Sequence, residues 1–307
     1  MRNFVSTICV AASLAGCHGG GGMNNNNPQL GPTTVNFTAF NAVQAGQTVN
    51  IQSGVSRTVN GTLSGGTVNS LSAIGIDTGS TRATLTYDTN KALAAVSAIT
   101  PGGSISFNKS AGDMFTCNTG TCGLTNAAGT ASMIIMEPIS LPLGWNYQTF
   151  GVWDRLSSST SFDAGVFSVG AATPGAAVPT TGSGNFSGLA NGFFVNSSGT
   201  AFFTTANMTA NADFVNRTIT FSTANTQTVN LSTPTGAGSP NPSLNLNGMF
   251  TWTAGNNLFS GSLNTLGNAM TGTGNGRFYG PNAEEIGGSY NLTGSGNSMM
   301  GSFGGKR

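Results

Sequence analysis

Cys117 and Cys122 stand in the run Cys117-Asn118-Thr119-Gly120-Thr121-Cys122. Two thiols can bind a metal, carry electrons or close a disulfide. A structural zinc site needs four ligands. The remaining candidates, His18, Cys9 and Cys17, all lie near the N-terminus. A redox pair is expected as Cys-x-x-Cys, and this spacing is longer. Glu284-Glu285 has the residue types of a glycosidase carboxylate pair. Neighbours on a strand point to opposite faces, so a solvated turn after Gly280-Pro281-Asn282 is the plainer reading. Gly272, Gly274 and Gly276 have a phosphate-loop look, but such a loop opens a helix and this run enters a strand. His18 is the sole histidine. It lies on a polar tract, so a Ser-His-Asp or Cys-His centre in a folded body is excluded by inventory. Histidine-held haem is excluded on the same ground. Aromatic residues and arginine remain as typical interface anchors. Trp153 and Arg155, with Arg277 and Tyr279, are the candidate binding residues. The competing role for Trp153 is a core position at the rim of the fold.

The N-terminus accounts for the other cysteines. Arg2 precedes an apolar stretch, residues 4–15, that ends in Leu14-Ala15-Gly16-Cys17. A membrane-spanning helix needs ~20 apolar residues, so the stretch reads as a secretory signal. Leu-Ala-Gly-Cys resembles the lipobox of bacterial lipoproteins. That resemblance implies cleavage before Cys17, a diacylglycerol on its sulfur and an acyl group on the new amine. The competing reading is an ordinary signal peptide with a chance cysteine. More than one acyl chain anchors durably. His18, the glycines 19–22 and the asparagines 24–27 have almost nothing to bury, which predicts a disordered tether. Over residues 18–31 it reaches about 20 Å root-mean-square. The residue after Cys17 is not the Asp of inner-membrane retention, which favours the outer membrane. In an exported chain, Cys117 and Cys122 most simply form a structural disulfide. Its short loop makes the stabilisation modest.

Composition sets the elements that position these residues. The chain has 307 residues, 38% hydrophobic and only 6% charged, with a net charge of +1 and 46 glycines. A typical charged share is about 25%. No basic stripe suits nucleic acid, and polarity must come from Asn, Thr, Ser and Gly. Thr, Val, Ile and Phe with frequent glycine predict an all-β fold with tight turns. Short strands are expected at 48–52, 57–63, 82–88 and 104–108. Residues 91–99 could form a short helical turn. Pro138-Ile139-Ser140-Leu141-Pro142 marks a boundary. Beyond it, strands are expected at 147–154, 163–170, 184–195, 200–209, 216–222, 243–253, 258–263, 275–279, 286–292 and 299–303. Leu244, Leu246, Gly248, Phe250 and Trp252 alternate with Asn and Thr. One apolar and one polar face per strand predicts an antiparallel sheet closed on itself, apolar inside and polar outside. A transmembrane barrel would reverse that order. The expected division is a signal at 1–16, a lipidated cysteine and linker at 17–31, a β-rich domain at 32–142 and a barrel at 143–307.

The C-terminal residues carry a family likeness. Gly276-Arg277-Phe278-Tyr279-Gly280-Pro281-Asn282-Ala283-Glu284-Glu285-Ile286-Gly287-Gly288-Ser289-Tyr290, followed by Gly301-Ser302-Phe303-Gly304-Gly305-Lys306, resembles the closing strands of the transferrin-binding protein B barrel. Tyr147-Gln148-Thr149-Phe150-Gly151-Val152-Trp153 resembles its start, and Ala212-Asp213-Phe214 a recurring piece. The resemblance implies a Gram-negative surface lipoprotein with a handle β-domain followed by an eight-stranded barrel. It also implies loops that bind host iron carriers; relatives bind complement regulators, haem or haem proteins. Whole transferrin-binding protein B has two such lobes, and this chain has room for one. The expected function is therefore non-enzymatic. The protein would be a lipid-anchored outer-membrane protein, without cofactor, that holds a host macromolecule or nutrient carrier. Its partners would include an outer-membrane receptor or a lipoprotein translocator. The alternatives are a structural or adhesive envelope protein without a defined ligand, and a haem or small-solute carrier. Protease shaving of intact cells is expected to remove the body; complete protection would place it in the periplasm.

Overall fold

The computed structural model describes residues 33–118, 120–139, 144–233, 238–267 and 269–307. Cys17 and the linker lie outside the described residues. Up to residue 170 the chain forms β1 (Thr33–Asn36), β2 (Gln47–Ile51), β3 (Ser53–Ser64), β4 (Thr67–Asp77), β5 (Arg82–Tyr87), β6 (Leu93–Thr100), β7 (Gly103–Asn108), β8 (Met114–Asn118), β9 (Thr121–Thr125), β10 (Ala131–Met136), β11 (Gln148–Leu156) and β12 (Ser161–Gly170). These make two sheets. A five-stranded sheet runs β1-β2-β5-β6-β7, and a seven-stranded sheet runs β4-β3-β12-β11-β10-β9-β8. Alternation explains the outer sheet: Ala83, Leu85 and Tyr87 are buried between less buried neighbours. The helical turn expected at 91–99 is instead β6, in which Leu93, Val96 and Ala98 are buried. Its pairing to β5 and β7 overrides a weak local preference.

The remainder forms β13 (Ser183–Val195), β14 (Ala201–Asp213), β15 (Thr218–Asn230), β16 (Ser239–Pro240), β17 (Leu246–Thr251), β18 (Leu258–Thr265), β19 (Thr271–Tyr279), β20 (Glu285–Gly294) and β21 (Asn297–Lys306). Strand order is β14-β13-β21-β20-β19-β18-β17-β15, with the two-residue β16 at the side of β15. Pairing of β14 with β15 closes the ring. The all-β expectation, with a β-rich N-terminal region and a closed eight-stranded antiparallel barrel, is met. Leu246, Phe250 and Trp252 point inward as their alternation predicts; Leu244 sits in a short 3-10 turn but joins the same core.

The seven-stranded sheet is the middle layer. One face packs on the five-stranded sheet through Met133, Ile135, Trp153, Phe167 and Val169. The other packs on the barrel through Ile134, Val152 and Val166, which meet Phe203 and Met300. Strands 147–154 and 163–170, read from sequence as the first of the barrel, are β11 and β12 and lie here. They pair with each other and with β10 and β3, and form no strand ladder with the barrel. Burial on both faces removes the apolar–polar alternation that would have marked their layer.

Space inside both units is made by glycine. Phe259 lies opposite Gly276, Phe303 opposite Gly288, Trp153 opposite Gly165 and Phe162 opposite Gly61. A Cβ at Gly276 would stand 2.5 Å from the Phe259 ring, and one at Gly165 2.6 Å from the Trp153 indole. Rings interlock above these glycines, with Phe221–Phe303 centroids 4.8 Å apart and Phe259–Phe278 5.3 Å. The phosphate-loop look of Gly272, Gly274 and Gly276 therefore has a packing origin: Gly274 lies beneath Phe250, and Gly276 beneath Phe259.

Gly276→Val is expected to lower stability by about 1–3 kcal/mol, because the added methyls meet the ring. Gly79→Ala, whose Cβ would meet nothing within 4 Å, should stay within about 0.5 kcal/mol of the wild type. Urea denaturation measures both; equal effects would discount the packing account.

Candidate functional site

The residues singled out from sequence are drawn into the joints between layers. Trp153 and Tyr279 are buried, 1% and 0% exposed. Trp153 faces the five-stranded sheet. Arg155, two residues on and so on the same face, has its guanidinium 5.8 Å from the Trp153 ring. It pairs with Asp163 at 3.0 Å and donates to the carbonyls of Gly102 and Ser104. That clamps the β6–β7 turn to the middle layer. Tyr279 donates from its hydroxyl to the Ser168 carbonyl at 3.2 Å. Arg277 donates to Asn257 Oδ1 at 2.8 Å and to the Thr78 carbonyl. The four residues chosen as anchors for a partner thus hold the protein's own sheets. Cys117 and Cys122 face each other across the β8–β9 hairpin and are joined by a disulfide.

Three charged residues lie at the barrel joint, two that sequence reasoning missed, Arg57 and Asp154, and one that it placed in solvent, Glu285. Arg57, 4% exposed, crosses from β3 to the barrel and donates to Asn275 at 2.7 Å, to Thr273 at 3.3 Å and to Asn291. Burial lowers its pKa to about 10. Glu285 accepts the backbone N–H groups of Asn146 at 2.6 Å and Tyr147 at 3.1 Å. Burial pushes its pKa up to about 7, against the pull of those hydrogen bonds and of Lys306. Asp154, 1% exposed, accepts from the Ser132 hydroxyl; burial outweighs that bond and raises its pKa to about 8. The only available signal was scarcity: each charge in so uncharged a chain needs a reason. Glu284 and Glu285 do diverge, as strand geometry requires. Glu284 closes the turn by accepting from Asn282, while Glu285, expected in solvent, is buried by the segment before β11.

No group of three or more His, Cys, Asp or Glu among the described residues could hold a metal. What the fold offers outward is the barrel rim formed by 178–182, 214–217, 252–257 and 280–284. Asp213 orders one loop by accepting from the N–H groups of Val215 and Asn216. It thereby presents Val215, 58% exposed, beside the exposed Arg217 at φ 55°. Arg307 shares this rim, 5.9 Å from the Phe186 and Phe214 rings, and donates to the Asn282 carbonyl. Arginine is enriched at interface anchors, and this rim carries two arginines and an exposed apolar side chain.

Residues 178–307 match the family model of the C-lobe and N-lobe beta barrels of Tf-binding protein B. The likeness read from the closing strands holds for the barrel, which is similar to the barrels of that family. Among solved structures, transferrin-binding protein B of Haemophilus parasuis Hp5 aligns over 82% of this chain and 45% of its own, at 14% identity and TM-score 0.46. The isotype 1 protein of serogroup B Neisseria meningitidis aligns over 74% and 49%, at 15% identity and TM-score 0.41. The N-lobe domain of lactoferrin binding protein B of Moraxella bovis aligns over 83% and 99%, at 11% identity and TM-score 0.38. The chain spans about half the length of the first two. No curated protein matches it.

Asp154 and Glu285 set a pH dependence. Their folded pKa values, about 8 and about 7, exceed the unfolded value of ~4. The folded protein therefore holds more protons between ~pH 4 and ~pH 8, and stability falls as pH rises through that window. Denaturation midpoints should decline from ~pH 5 to ~pH 8.5, and Asp154→Asn should flatten the decline. A wild-type midpoint independent of pH would contradict this.

Proposed function

We propose that this transferrin-binding protein B-like chain is an outer-membrane, lipid-anchored surface protein that captures a host iron-carrier protein without catalysing a reaction. The match of the barrel to the family of Tf-binding protein B barrels carries the reading. The Leu-Ala-Gly-Cys17 lipobox and the polar tether support anchoring of the body at the membrane. An outer-membrane receptor and a lipoprotein translocator are the partners such an anchor calls for.

Capture is assigned to the rim bearing Val215, Arg217 and Arg307, in place of Trp153, Arg155, Arg277 and Tyr279. Val215 and Arg217 are presented to solvent at an ordered turn and the exposed Arg307 shares their rim, whereas the second set is spent on the joints. We place the division of the folded body in the connection after β12, within 171–182. That segment bonds to the barrel through Thr173, which donates to the Gly280 carbonyl, and buries Val178 in the barrel core.

The test is a pull-down from host serum and secretions with the body from Pro32 onward. An iron-carrier protein should be retained. Val215→Asp with Arg217→Ala should weaken retention at least about tenfold, as loss of a hot-spot pair does, with an unchanged denaturation midpoint. Retention of no iron carrier would overturn the reading, and equal retention by the double variant would remove the rim from it.

A further inference from the structure

On the barrel side of β11, at the end away from Gln148, the layers do not close on each other. A part-enclosed cleft lies there. Val59, Val68 and Phe162 wall it from the sheet, and Phe193, Val195 and Met300 from the barrel. Its volume is about 40 Å³, on a measure in which one water needs ~10–15 Å³. That is about a quarter of the ~150 Å³ that takes up benzene, so the space suits a short alkyl chain rather than a ring. Only two polar residues line it, Ser298 and Asp154.

Asp154 is placed unusually for a structural carboxyl. Its Oδ1 accepts from the Ser132 hydroxyl. Its Oδ2 is buried and has no partner. Nearly all such atoms in folded proteins are satisfied. No donor of the described residues reaches this one. The next residue, Arg155, points to the opposite face and is occupied by Asp163 and two carbonyls. Arg57 is occupied by Asn275, Thr273 and Asn291. Burial holds Asp154 protonated at neutral pH, and Oδ1 already accepts from Ser132. A neutral amine that enters takes the Oδ2 proton and returns donors to the carboxylate so formed. That charge-assisted hydrogen bond is stronger than a neutral one. Apolar walls suit a hydrocarbon body. A carboxylate or phosphate head would bring a desolvated negative charge with no cation to meet it.

We propose that the cleft binds a small primary alkylamine, with its nitrogen on Asp154 Oδ2 and its short aliphatic body against the apolar walls. The site is separate from the rim assigned to the carrier protein.

Calorimetry and ligand-observed NMR on the purified protein, with propylamine and 1-propanol as probes, test this directly. Propylamine should bind wild type at least about tenfold more tightly than propanol. Asp154→Asn keeps the size and the Ser132 bond. It should weaken propylamine at least about tenfold and change propanol by less than about threefold. Ala164→Phe, which fills the cleft from β12, should abolish binding of both. No binding of propylamine to wild type, or equal affinity for amine and alcohol, overturns the proposal. So does undiminished propylamine binding by Asp154→Asn or Ala164→Phe. The wild-type measurements decide the matter even if a variant fails to fold.

Discussion

A glycine paired across strands with an aromatic residue leaves the volume of a side chain for the ring to occupy. The ring then lies over the neighbouring backbone instead of standing away from it. In this protein the arrangement recurs at Gly276 with Phe259, Gly288 with Phe303, Gly165 with Trp153 and Gly61 with Phe162. It lets a barrel of eight strands hold a core rich in phenylalanine, where the interior just fits side chains. The same device thins the middle sheet so that layers can pack on both of its faces. Glycine weakens an isolated strand, and the covering ring offsets that weakness.

The scarcity of charge follows a similar economy. With so few ionisable residues, the fold commits several of them to its joints. Arg57 bridges to the barrel through neutral amides and hydroxyls, and Glu285 ties the segment before β11 to β20. Such groups cost desolvation but fix orientation, because each hydrogen bond is satisfied at one relative placement of the layers. The exposed charges at the rim are correspondingly few, and Val215 with Arg217 stands out against a surface of Thr, Ser and Asn.

Much of the barrel was legible in the sequence. Its strands have one wet face and one dry face, and Leu246, Gly248, Phe250 and Trp252 display the period of two directly. The disulfide was legible because two cysteines flank a turn. The middle sheet was not, since β11 and β12 bury both faces and their residues show no alternation. Long-range pairing was equally hidden: β12 joins β3 from far along the chain, and no local pattern encodes that choice. For the candidate site, residue type misled. Trp153, Arg155, Arg277 and Tyr279 have the chemistry of binding anchors, but that chemistry serves equally well inside a joint. Nothing in the local sequence marks Asp154, and only the packed layers show it to be dry.

The order of barrel strands has a consequence for how the protein is made. Strand β21 lies between β13 and β20, so the first and last barrel strands of the chain are hydrogen-bonded neighbours. While the chain is being made, β13 must wait with one edge unpaired until residues 297–306 arrive. The ring cannot seal before then, and the sheet wall that packs against β20 and β21 has nothing to rest on. The growing chain thus remains an open ribbon and becomes a closed cylinder only when its final strand is delivered.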